Sequence, residues 1–557
     1  MGGGDGAAQG PRESRPRSVR SLAGLLALLA VAGPLAVHFA WQRDIATIGD
    51  DSVSYLLLAR HFAGTAGPLL APWVPYQAHF PPLFPLALAA AGGATSLLAA
   101  HLLVAAFGLA AAVAIQRYGA LRLGGEVAGL ALAAGFLLTP TAWVSIKGIL
   151  SEPMYLLLSI LALDFHAARL EARRDAPWTA WLALGGLAGA AVLTRAAGVA
   201  LLAALAAHGA LRAVRKVDRR AWVPFLALVP PALLAGLWLA LRPVAGTNGY
   251  AGTGEEVLAT WARDPGLALS LASRYFLDGW IASFTADPAV PAALRAVFAL
   301  LGVLGLAGAV RAALGNRLDG WYVLATLALV LAWVFPAENM RRLLYPVVPL
   351  LLLHAAQTAF ALARRRAAGR HGARIAGAVL ALPALLCVPA WVLVQEKSLD
   401  RTPPAGADAA YADVTDYYGT LNVQRARALA AKQVAVLTGF GALASRTPPQ
   451  ARVMWMRPEY VALLGGRAGV PFYYGWDARR LAGEIRRAGV DYVVMSRLFK
   501  SDLAGHQGDP FATLASVGEY AEPVFAVPNA AVGGEEFVLM RVDRGRLEGF
   551  LARDRES

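Results

Sequence analysis

Apolar runs of about 20 residues recur along the chain, separated by short polar breaks rich in arginine. An α-helix of that length rises about 30 Å, the thickness of a bilayer's hydrocarbon core. The pattern predicts spans at 22–41, within 81–115, at 127–146 and 154–166, and as a hairpin over 178–211. Further spans fall at 222–241, 292–310, 321–335, 343–362 and 375–394. That makes about eleven spans. The 81–115 run is overlong and is broken at Gly92–Gly93, leaving room for a short re-entrant piece.

Beyond residue 397 the pattern changes. "QVAVLTGF", "ARVMWM", "VDYVVMS" and "EEFVLMRV" read as strands, and "DARRLAGEIRRAG" reads as an amphipathic helix closed by Gly489. Strands alternating with helix predict a small α/β domain, most simply a lid or packing domain. The chain is therefore expected to be an all-α polytopic membrane protein with a small C-terminal α/β domain.

Basic residues orient the spans. Arg12, Arg15, Arg17 and Arg20 precede the first. Arg117 and Arg122, then Arg169, Arg173 and Arg174, then "LRAVRKVDRR", then Arg364, Arg365, Arg366 and Arg370 fall at alternate ends of later ones. Under the positive-inside rule these ends are cytoplasmic. The expected organisation is a cytoplasmic tail over 1–20, a membrane domain over 21–396 with outer loops at 43–80 and 242–291, and an extracytoplasmic domain over 397–557. The first run lacks a convincing cleavage site and reads as an anchor in the cell (cytoplasmic) membrane rather than a signal peptide.

Composition narrows the class. Of 557 residues, 57% are hydrophobic and 16% charged, against about a quarter charged in soluble domains. The net charge of +14 raises nucleic acid as a partner. No basic segment is interleaved with aromatic residues, so the bilayer is the partner expected instead. The single cysteine, Cys387, excludes an intrachain disulfide and a multi-cysteine metal site.

Chemistry is carried by "IGDDSVSYLLLARHF", where Asp50 and Asp51 open a helix in the first outer loop. Either acid suits a helix N-terminus, but only one can cap it. The pair could also supply oxygen ligands to a divalent cation, although two carboxylates alone do not argue for one. Asp51, Tyr55 and Ala59 share a helix face, and Pro81–Pro82 starts another helix at the same membrane side. His79 precedes that helix and reads first as a solvated interfacial residue. Glu152 and Arg195 lie at predicted outer span ends, where ionisable groups need partners or a cavity. Glu338, Arg341 and Arg342 cluster at another outer turn, against positive-inside. A Glu338–Arg342 helix pair or an anionic lipid phosphate would each explain them. "SRYFLDGWIASF" in the second outer loop reads as an interfacial anchor, with Arg274 and Asp278 as minor candidates for substrate contact.

Five of these segments, in order, resemble membrane glycosyltransferases of the C-type (GT-C) fold. They are Asp51-Ser52-x-x-Tyr55-x-x-x-Ala59, His79-Phe80-Pro81-Pro82-Leu83, Ser151-Glu152-Pro153, Leu193-Thr194-Arg195 and Arg342-x-x-Tyr345-Pro346-x-x-Pro349. That group includes the lipid A aminoarabinose transferases and the protein O-mannosyltransferases, besides enzymes that modify lipopolysaccharide and cell-wall glycans. The resemblance implies a polyprenyl-phosphate-linked sugar as donor, a glycolipid, glycan or protein acceptor, and transfer on the extracytoplasmic face. It also implies Asp51 as general base, with Asp50 as a tuning neighbour. One departure is plain: the lysine this family often carries just before its Pro-Pro pair is here Phe80. The competing classes are a transporter or lipid flippase, which predicts ionisable residues at mid-membrane and repeated halves, and a GT-C-like scaffold without activity.

Overall fold

The computed structural model describes residues 19–40, 50–218, 220–242, 258–259, 261–286, 289–332, 337–366, 370–399, 423–472, 476–496, 515–528 and 533–553. Over its described residues each predicted span is largely helical, with 127–146, 222–241 and 343–362 each divided between two elements. Five helices are long and apolar enough to cross a bilayer: Leu97–Leu123, Ala196–Val214, Val223–Leu241, Ala292–Leu314 and Gly377–Val394. A sixth is the pair Glu126–Leu137 and Pro140–Ile146, bent by 69° where Pro140 starts the second piece. Leu22–His38, Trp178–Thr194, Leu318–Ala332 and Val348–Ala363 are shorter apolar helices. Leucines along the Val229–Leu241 helix, among them Leu233 at 68% and Leu241 at 70%, remain exposed. Such a surface suits contact with lipid.

The overlong 81–115 run divides as its glycines suggest. A short helix, Leu83–Ala90, ends before Gly92, whose φ of +77° suits glycine, and a new helix starts at Leu97 under a Ser96 cap. Small residues then let helices meet closely. A Cβ at Gly308 would lie 2.4 Å from the His354 carbonyl oxygen of the Val348–Arg366 helix. Backbone cannot yield as a side chain can, so Gly308→Ala is expected to cost about 1–3 kcal/mol, read as a lower melting temperature in detergent.

The Asp50–Phe62 helix, at 13 residues, is shorter than a bilayer span requires. Its residues 52–59 are buried on every side, the polar Ser52 and Ser54 included. Val53 and Leu57, one turn apart, join a cluster with Phe440, Trp455 and Tyr460 of the C-terminal domain. Tyr55, Leu58 and Ala59 enter a second cluster with Phe84, Leu88 and Val104. Two cores thus hold the helix that carries Asp51.

The C-terminal domain has a mixed five-stranded sheet, in the order β2-β1-β3-β5-β4. Its strands are β1 (Arg452–Trp455), β2 (Ala468–Pro471), β3 (Tyr492–Ser496), β4 (Ala521–Pro528) and β5 (Glu535–Val542). β1 is parallel to β2 and β3, whereas β5 is antiparallel to β3 and β4. The predicted amphipathic helix is Ala478–Arg487, with Gly489 at φ +62° beyond its end.

Two expectations are corrected. "QVAVLTGF" lies within the helix Val423–Arg446, not in a strand. Buried Val436, Phe440, Leu443 and Thr447 repeat with helical spacing, and the alanine-rich run before them favours helix. "SRYFLDGWIASF" belongs to the helix Pro265–Thr285, but it is no surface anchor. Its second half is buried, with Trp280, Ile281 and Phe284 in the main core and Gly279 packed against Met340.

Candidate active site

Four chain segments bring charged side chains together at one end of the helical bundle. Asp51 lies in the first turn of Asp50–Phe62, and Glu152 opens the helix Glu152–Arg169. Arg195 sits in the break between Trp178–Thr194 and the next helix, and Arg342 comes from the short helix Ala337–Leu344. Arg342 joins the two acids: its Nη2 donates to Asp51 Oδ2 at 2.5 Å, and its Nε donates to Glu152 Oε1. Arg195 Nη1 lies 3.0 Å from the same Glu152 oxygen. Two carboxylates and two guanidiniums balance, as a partly buried cluster requires.

Their exposures differ in a useful way. The Glu152 side chain is 1% exposed, whereas those of Asp51 and Arg342 are 22% and 28% exposed. The Asp51–Arg342 pair is therefore the accessible part of the cluster and Glu152 its buried part. Glu152 Oε2 is buried without a hydrogen-bond partner, and so is the Tyr345 hydroxyl. The Glu152 charge bears on that phenol. Buried polar atoms left unpaired are costly and mark places where a substrate hydroxyl or water would be welcome.

A polar scaffold holds the acids in place. Ser151 occupies the cap position of the Glu152 helix without making a cap bond. Its hydroxyl instead meets Tyr55 Oη at 2.8 Å and accepts from Arg195 at 3.3 Å. Tyr322 donates to Tyr155 at 3.0 Å, and Tyr155 donates to the Ala197 carbonyl, which fixes the segment after Arg195. The Tyr55 ring meets Phe80 and Phe84 edge-on at 5.2 and 4.9 Å. Phe80 is thus a packing residue, 8% exposed, and positive charge is supplied by Arg195 and Arg342 instead.

Burial opposes ionisation of Asp51, but the charges of Arg342 and Arg195 outweigh it. The carboxyl is held below its ordinary value of 3.8, with a smaller contribution from His79. The bond to Arg342 also answers the capping question for Asp51, whose carboxylate is directed across the site.

The remaining candidates separate. Arg341 is buried and donates to the Ala286 carbonyl at 3.2 Å, away from its neighbour's partners. Asp278 pairs with Arg295 and with Arg274, the latter at 4.0 Å, outside this cluster. The side chains of Asp50 and Glu338 lie outside the described residues. A divalent cation fits poorly, because both carboxylates already face guanidiniums. Among the described residues no group of three or more His, Cys, Asp or Glu could hold a metal.

A second charged cluster, at the other end of the bundle, is not singled out by sequence pattern. Arg122 forks onto Glu171 at 2.9 and 2.6 Å, and Arg317 onto Asp319 at 3.1 and 2.5 Å. Arg212 holds Asp218 and the carbonyls of Glu171 and Arg173. His166 and His208 touch through their Nε2 atoms at 2.9 Å. Charges therefore gather at both ends of the bundle.

No protein-family model matches the sequence, and comparison with curated proteins finds no match. Comparison with solved structures does. ArnT from Cupriavidus metallidurans in the apo state superimposes with a TM-score of 0.52 at 15% identity, covering 94% of this chain and 98% of that one. The same protein bound to undecaprenyl phosphate gives 0.51 at 14% identity, covering 93% and 98%. An Archaeoglobus fulgidus oligosaccharyltransferase tethered with an acceptor peptide gives 0.51 at 13% identity, covering 94% and 74%. The chain has the GT-C fold and is a multi-pass membrane protein with a C-terminal domain of mixed α/β structure.

Proposed function

We propose that this protein is a membrane glycosyltransferase that moves a sugar from a polyprenyl-phosphate carrier to an acceptor hydroxyl on the extracytoplasmic face. The observation that carries this reading is the meeting of Asp51, Glu152, Arg195 and Arg342 at one end of the bundle. A structure that shares the fold holds undecaprenyl phosphate, which supports a lipid-linked donor. Positive-inside places the other end, with Arg122, Arg169 and Arg212, in the cytoplasm and the Asp51 end outside. The N-terminus is then cytoplasmic and the domain over 397–557 extracytoplasmic, in the inner membrane of the cell.

In the reaction the acceptor oxygen attacks the anomeric carbon while the bond from that carbon to the phosphate oxygen breaks. Asp51 takes the hydroxyl proton, and the polyprenyl phosphate leaves with the bonding pair. Attack opposite the leaving group inverts the anomeric centre through an oxocarbenium-like state. Arg342 and Arg195 can turn planar donor forks toward the phosphate as its charge grows. Glu152 holds both arginines, and its free oxygen can accept from a sugar hydroxyl. His79, when protonated, adds positive charge beside the base.

The test is purified protein in lipid nanodiscs with radiolabelled polyprenyl-phosphate sugars and glycolipid, glycan or protein acceptors. Label moving to an acceptor, with free polyprenyl phosphate as co-product, is expected. In a parallel reconstitution into sealed vesicles, labelled lipid that crosses the bilayer unchanged would instead support the transporter class.

A further inference from the structure

A cavity of about 410 Å³ opens between the helices Leu97–Leu123, Glu152–Arg169 and Trp178–Thr194. It is not part of the Asp51 site. The Glu152 helix runs from that site to Arg169, about 25 Å along its axis, and the cavity lies around the Arg169 end. Its wall is apolar where it faces the bundle, with Leu161, Phe165 and Leu187. Its rim is basic, with Arg117, Arg169 and Arg173.

The charges do not cancel. Arg117 pairs with Asp164 at 3.0 Å, although the arginine side chain remains 63% exposed. Arg169 and Arg173 are exposed. The neighbouring Glu171 is occupied by Arg122, and the loop's remaining charges, Arg174 and Asp175, offset each other. Three arginines thus face one carboxylate at the rim. The position of that rim is fixed, because buried Arg212 holds the Arg173 carbonyl at 3.0 Å and the Glu171 carbonyl at 3.2 Å. Trp178, 58% exposed, begins the next helix beside Pro177 of the cavity, and an exposed tryptophan at the end of an apolar helix suits a membrane interface.

We infer that this cavity binds an anionic phospholipid, its phosphate between Arg169, Arg173 and Arg117 and an acyl chain against Leu161, Phe165 and Leu187. A free phosphate would satisfy the arginines but leave the apolar wall uncovered, and a zwitterionic lipid would leave the charge excess unmet. A basic pocket between helices at the membrane edge is the arrangement that anionic headgroups select.

Native mass spectrometry of the full-length protein, purified in detergent and supplied with phosphatidylglycerol or phosphatidylcholine, tests this. Wild type should retain one phosphatidylglycerol in preference to phosphatidylcholine. Arg169→Gln with Arg173→Gln should lower that retention about tenfold or more. The matched double Arg215→Gln with Arg311→Gln removes two exposed arginines outside the cavity and should leave retention unchanged. Equal loss in both doubles, equal retention of phosphatidylcholine, or displacement of the lipid by millimolar inorganic phosphate would each overturn the inference.

Discussion

Asp51→Asn is expected to lower transfer about 100- to 10,000-fold, the usual contribution of a positioned general base. The substitution keeps the shape of the side chain and one oxygen for Arg342, but removes the charge and the basicity. Arg342 keeps Glu152 and the new amide oxygen as partners, so although the cluster then holds two guanidiniums to one carboxylate, the melting temperature should fall only modestly. The loss should fall in kcat. Donor binding should hold or tighten, because Arg342 no longer has two carboxylates competing with the incoming phosphate. Asp50→Asn is the natural comparison and should cost less than about tenfold. If Asp51→Asn transfers sugar within threefold of wild type, the base lies elsewhere.

The span pattern was legible because bilayer thickness imposes one length on every crossing helix. The Asp50–Phe62 helix was harder, since its apolar middle, Tyr55 to Ala59, can mean lipid or protein around it. Only its partners, Val53 and Leu57 against the C-terminal domain and Tyr55 against Phe84, distinguish the two. Helix spacing put Asp51 on the Tyr55 face, and the fold agrees through the contact of Tyr55 with Ser151. Spacing could not pair Asp51 with Arg342, because 291 residues separate them and a contact of that range follows from tertiary packing alone. Nor could it separate Arg341 from Arg342. The two are adjacent on a short helix, and which one faces the cluster depends on how that helix docks.

The Phe80 departure takes on a physical meaning in the same way. Its ring seals the Tyr55 side of the site, so a lysine at that position would place an amine in an aromatic contact. Under the proposed function, Arg195 and Arg342 from other segments supply the positive charge that a phosphate needs. The second cluster escaped notice because Arg122, Arg212 and Arg317 look like ordinary cytoplasmic-end charges. Their partners Glu171, Asp218 and Asp319 turn them inward, toward ties between loops and helices.

Arg342→Gln should have the broadest consequences, because one guanidinium serves both acids. Loss of a donor aimed at the leaving phosphate is worth about 100- to 1,000-fold in kcat. The pH profile separates this effect from simple unfolding. In the free protein Arg342 holds the Asp51 carboxyl below its ordinary value, so the acid limb of kcat/KM should lie below the usual carboxylate range. With donor bound, the phosphate draws Arg342 away and burial acts on Asp51 less opposed. The acid limb of kcat should then sit higher than that of kcat/KM. In Arg342→Gln the two limbs should converge, both near or above the ordinary carboxylate value. Stability should follow the same sign. A depressed carboxyl pKa contributes stability that is present above the unfolded pKa and lost as pH falls through the folded one. The variant lacks that contribution at neutral pH and also leaves Asp51 charged and unpaired, a penalty that protonation relieves. The gap in melting temperature between wild type and Arg342→Gln should therefore be widest near pH 7 and narrow as pH falls through the ordinary carboxylate value of 3.8 and below it. Arg342→Lys restores charge without the fork, and should recover the gap more fully than it recovers kcat. A gap that stays constant with pH would show that Arg342 supports the fold without acting on Asp51.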